Sequence, residues 1–121
     1  MKLYEYAFEK LEVWNKSKEL VKVIYASTDD FPKSEMFGLT QQMRRSSVSV
    51  ASNLAEGSAR RTNKDKAHFT TMAYSSLMEL LNQSIIAMEL GYLKEVNYES
   101  IRQEIQLISY MLNALRNSQN G

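Results

Sequence analysis

No cysteine occurs in this 121-residue chain, and proline, histidine and tryptophan occur once each. Without cysteine there is no disulfide, no thiolate nucleophile and no sulfur-ligated metal. One proline and four glycines leave few places where the backbone must break, which predicts long helices with short connections. No stretch approaches the ~18 consecutive apolar residues of a membrane span. The first residues, MKLYEYAFEK, carry acids where a secretory signal would have an apolar core, so the expected address is cytoplasmic. Strand-like alternation, internal repeats and low-complexity segments are also missing.

The hydrophobic fraction of 44% is ordinary for a soluble protein, and the length suits one domain over residues 1–121. Net charge is only +1, but it is unevenly spread. Residues 41–66 hold Arg44, Arg45, Arg60, Arg61, Lys64 and Lys66 against Glu56 and Asp65, while the segments on either side are slightly acidic. The excess positive charge is thus confined to one helix and the turn after it.

Four helices are predicted, over about residues 8–28, 39–58, 63–90 and 97–117. In the first, Leu11, Trp14, Val21 and Tyr25 form a stripe, with Val13, Leu20 and Ile24 beside it. Asp29-Asp30-Phe31-Pro32 ends it, because the residue before proline avoids the α region. The third opens with Thr62-Asn63-Lys64-Asp65, a capping-box pattern, and stops at Gly91. The fourth takes Asn97 as its N-cap, and its seam of Ile101, Ile105, Ile108, Leu112 and Leu115 steps by four and three residues. Residues 118–121 are expected to fray. The fold class is therefore all-α, an antiparallel up-down four-helix bundle.

The second helix separates into three faces at about 100° per residue. Leu39, Met43, Ser47, Val50 and Leu54 make the core stripe. Val48, Ala51 and Ala55 make a smaller apolar face. Arg45, Ser49, Ser52 and Glu56 occupy the remaining side. So many small side chains allow close helix approach and suggest packing on more than one side, as in a homo-oligomer.

The string Phe31-Pro32-Lys33-Ser34-Glu35-x-Phe37-Gly38-Leu39-Thr40-x-Gln42-x-Arg44-Arg45 continues with Ser49-x-x-Ser52-Asn53-Leu54-Ala55-Glu56-Gly57. Ser76-Leu77-x-Glu79-Leu80, Glu89 to Leu93 and Phe8 to Trp14 complete the pattern. Together they resemble the bacterial four-helix-bundle family associated with 23S rRNA intervening sequences, over roughly residues 8 to 115. Ala51 stands where that family often has proline. The resemblance implies a ring-like homo-oligomer, most simply a pentamer. It also implies kinship with the accessory protein of diversity-generating retroelements, whose partners are a reverse transcriptase and nucleic acid.

Arg60, Arg61, Lys64 and Lys66, with Arg44, are the candidate RNA or DNA contacts, since clustered cations gain from counterion release. The competing reading pairs Arg44 or Arg45 with Glu56 or Glu79 between helices or subunits. Arg61 and the sole histidine, His68, loosely resemble the Arg and His of HEPN-type ribonucleases, an alternative in which they would stabilise phosphate and transfer protons. Thr62 replaces the Asn or Asp usual after that Arg. A third alternative is a pure protein-interaction ring. The acids are scattered and the Glu-x-x-His pairs of di-iron bundles are missing, so neither a metal nor a cofactor is expected. The leading expectation is a non-enzymatic, oligomeric scaffold or nucleic-acid-associated accessory protein.

Overall fold

A computed structural model of the chain, described over residues 1–120, contains four α-helices and no strand among those residues. They are α1 (Glu12–Thr28), α2 (Leu39–Ser58), α3 (Asn63–Glu89) and α4 (Glu95–Asn120). Short 3-10 turns at Ala7–Lys10 and Lys33–Glu35 precede α1 and α2. Each helix packs on two others, α1 on α2 and α4, and α3 on α2 and α4. The pairs run antiparallel, because numbers rise on one helix as they fall on its neighbour. Ser46 meets Gln83, Ser49 meets Ser76, and Gly57 approaches Phe69.

The interior is filled by one line from each helix. On α4 it is Ile101, Ile105, Ile108 and Leu112, as the four-three spacing predicts, with Leu115 half-buried at its end. On α2 it is Met43, Ser47, Val50 and Leu54. Burying each such large side chain contributes ~1.5–3 kcal/mol of transfer free energy. On α1 the buried line is Val13, Ser17, Leu20, Ile24 and Thr28, not the stripe through Trp14 and Tyr25. Leu11, Trp14 and Val21 are half-buried beside α2, and Tyr25 is exposed. The buried line includes two hydroxyl residues and is the less apolar of the two in sequence, so periodicity alone does not select it.

Two helix starts differ from expectation, each for a local reason. Leu11 is extended (φ −74°, ψ 123°), which divides the first segment into a 3-10 turn and α1. The Asn15 side-chain amide holds that break by donating to the carbonyls of Glu9 and Leu11, both at 3.0 Å. Helix α4 begins at Glu95, so Asn97 lies inside its first turn rather than capping it. The Lys94 carbonyl accepts the amide of Tyr98 at 2.9 Å and so closes that first turn, while Glu95 complements the helix dipole. Helix continues through Asn120 where fraying was expected, and Gly121 lies outside the described residues.

The remaining boundaries show how few breakers are needed. Gly91 has φ +81° and completes a Schellman motif. The Tyr92 amide donates to Ala87 O at 2.9 Å, and the Gly91 amide to Met88 O at 3.0 Å. Phe31, buried just before the proline, packs on Tyr92 at 6.0 Å between ring centres, tying the α1–α2 connection to the α3–α4 turn.

Candidate functional site

Helix α2 carries every residue of the predicted packing face, and its surroundings divide them. Ser49 turns toward α3, where its hydroxyl lies 3.0 Å from that of Ser76. Ser46, beside it, donates to Glu79 at 2.6 Å and reaches Gln83 at 3.0 Å. This side of α2 is a polar seam whose hydrogen bonds are made within the chain. Gly57 ends the seam: a Cβ there would stand 2.7 Å from that of Phe69, so the two backbones meet closely.

The opposite side of α2 is open. Val48, Ala51, Ser52 and Ala55 border a groove of about 410 Å³ whose other wall is Phe8, Trp14 and Val21. Val48 and Ser52 also border a second groove of about 570 Å³, closed by Tyr25, Met36 and Phe37. Phe37 is 84% exposed and Met36 55%, an apolar display with no partner in the bundle. Glu56 is exposed on the same helix.

The basic residues fall into two groups, about 24 Å apart along α2 by its rise per residue. Arg44 is held against the end of α1. Its Nε donates to Thr28 Oγ1 at 3.0 Å, an Nη donates to the Tyr25 carbonyl at 3.3 Å, and the guanidinium lies 4.6 Å from the centre of the Tyr25 ring. There it complements the negative end of the helix dipole. Arg45 is exposed and borders a polar cleft with Glu79, but the only ion pair among the described residues joins Lys22 to Glu19. The pairing of Arg45 with Glu56 or Glu79 is thus not made within one chain.

Arg60, Arg61 and Lys64 stand exposed around the α2–α3 turn, with Lys66 half-buried behind them. The Arg60 guanidinium lies 4.5 Å from the Phe69 ring centre, which fixes one cation without neutralising it. Thr62 caps α3, its hydroxyl accepting the Asp65 amide at 3.1 Å. That orders a turn in which cations and a helix N-terminus share one surface. His68 is exposed on α3, edge-on to Phe69 at 5.8 Å, and no hydrogen bond joins it to Arg61 among the described residues. No group of three or more His, Cys, Asp or Glu residues that could hold a metal occurs among them either.

Sequence reasoning missed Glu35. Its carboxylate accepts the Leu39 amide at 3.1 Å and caps α2 from the preceding 3-10 turn, and Gly38 leaves room for it. The signal was an acid four residues ahead of a helix whose own preceding residue, Gly38, has no side chain to cap with.

The profile of the 23S rRNA-intervening sequence protein family matches residues 9–114. The chain belongs to that family. Its fold is similar to that of a crystallised protein of unknown function from the S23 ribosomal protein family of Bacteroides thetaiotaomicron VPI-5482. The TM-score is 0.77 and the identity 21%, covering 86% of this chain and 97% of that one. Among curated proteins none matches. The likeness to the crystallised protein concerns the fold; what this member of the family does must be argued from its own surface.

Proposed function

We propose that this family member is a non-enzymatic, homo-oligomeric scaffold whose copies pack through the outward side of α2 and present their α2–α3 turns to nucleic acid. The observation that carries the reading is the display of Val48 between two adjoining grooves beside the small side chains of α2, with Met36 and Phe37 in the connection before it walling the larger groove. Contiguous apolar surface of this kind marks an interaction site. A head-to-tail contact between unlike surfaces closes into a ring when its rotation allows, and five copies is the number that the family kinship implies. Arg45, with no ion-pair partner among the described residues, is left to meet a carboxylate of the neighbouring copy.

Light scattering tests the assembly. The wild type should run as a multimer at micromolar concentration. Val48→Glu, a change at a site already exposed to solvent, should shift it toward the monomer without loss of helix content. A wild type that stays monomeric removes the reading.

The basic turn supports the nucleic-acid half of the proposal: four cations at one end of each bundle beside a helix N-terminus. No catalytic step is assigned, since Arg61 lies before α3, His68 lies on it, and nothing holds the two together.

A further inference from the structure

Residues 1–5 are exposed, ahead of Tyr6, which caps the next turn by exchanging hydrogen bonds with Glu9. They precede the Ala7–Lys10 turn and lie outside any helix. Leu3 is 84% exposed and Tyr4 77%, and the rings of Tyr4 and Tyr6 stack edge-to-face on each other at 4.9 Å. Burying Leu3 and Tyr4 would be favourable, since both leave apolar surface in water. A groove of about 570 Å³ between Tyr25, Phe37 and Val48 is equally uncovered.

Distance separates arm and groove within one chain. From Ala7 back to Leu3 the extended chain reaches roughly 14 Å, whereas α1 rises about 20 Å between Leu11 and Tyr25. Folded back along its own helix, this segment would leave Leu3 and Tyr4 short of the groove. Charge offers a further match: Glu5 is the arm's one carboxylate, and Arg45 on the groove wall has no carboxylate partner among the described residues.

We propose that residues 1–5 of one copy lie in the Tyr25–Phe37–Val48 groove of the next, with Leu3 and Tyr4 against its apolar wall and Glu5 opposite Arg45. The inference rests on the homo-oligomer reading and adds to it which segment makes the contact. An arm from one copy entering a groove on another is a contact between unlike surfaces, the kind that builds rings.

The absence of cysteine makes the test direct. Two full-length single-cysteine variants, Leu3→Cys and Gln41→Cys, are mixed and treated with a short bis-maleimide, alongside Leu3→Cys mixed with Ser100→Cys on the exposed side of α4. The first mixture should give a linked dimer and the second should not. Arg45→Glu in the groove variant should lower the yield several-fold, and Glu5→Arg in the arm variant should restore it. Light scattering on the same samples separates the two claims. A multimer in which Leu3→Cys links equally to both sites overturns the arm contact and leaves the oligomer standing. A monomer removes both. Linking within single chains of a Leu3→Cys, Gln41→Cys double variant, at monomer mass, overturns the second-copy assignment.

Discussion

Ser17, Thr28, Thr70 and Ser84 each place a hydroxyl in the interior, and each returns it to a carbonyl four residues back. The donor is satisfied locally, so the residue costs little to bury and takes less room than an aliphatic side chain. That explains why hydroxyl side chains sit where an apolar pattern expects aliphatic ones, and why the true core line of α1 was hard to read. An apolar count gives Ser17 and Thr28 no weight, while it scores Trp14 and Tyr25 highly. The close approach between backbones at Gly57 was not legible in the sequence. Gly57→Ala should gain up to ~1 kcal/mol in helix propensity and lose ~1–3 kcal/mol to overpacking against Phe69. The net expectation is a lower denaturation midpoint in urea; a higher one would mean that the α2–α3 backbones can separate freely.

At the scale of elements, α2 and α4 were the most legible, because each has one apolar line with no rival of equal strength. The polar seam between α2 and α3 was not. Ser46, Ser49, Asn53, Ser76, Glu79 and Gln83 meet only when two helices are registered antiparallel, and spacing on one helix cannot supply that register. The cap at Thr62 was legible, since its partner Asp65 is three residues away. Thr62→Ala should cost about 1 kcal/mol, within a usual range of ~0.5–2 kcal/mol, by freeing an amide at the start of α3. Because the same turn carries Arg60, Arg61 and Lys64, that change should also loosen the basic surface. Amide exchange in the first turn of α3 should quicken while exchange in α4 stays constant; equal quickening in both would mean the cap acts on global stability alone.

At the scale of the whole molecule, the basic turn lies beyond the opposite end of α2 from Arg44 and Arg45, so the proposed assembly face and the proposed ligand contact fall on separate surfaces. Replacing Arg60, Arg61, Lys64 and Lys66 by serine should weaken RNA or DNA binding. On duplex, it should flatten the dependence of log affinity on log salt by about 0.9 for each phosphate that the variant no longer neutralises. The same variant should keep its multimeric mass by light scattering. Val48→Glu should do the reverse, because it leaves all four cations in place but separates the copies that carry them. Binding through several linked ends gains over a single end by effective concentration, commonly ~10²–10⁴-fold when the geometry lets them engage together. Affinity for a long single strand should therefore fall in Val48→Glu, while affinity for an oligonucleotide too short to bridge two turns stays the same. If both lengths lose affinity equally, the α2 face itself contacts nucleic acid; if neither does, the basic ends act one at a time and the assembly serves another purpose.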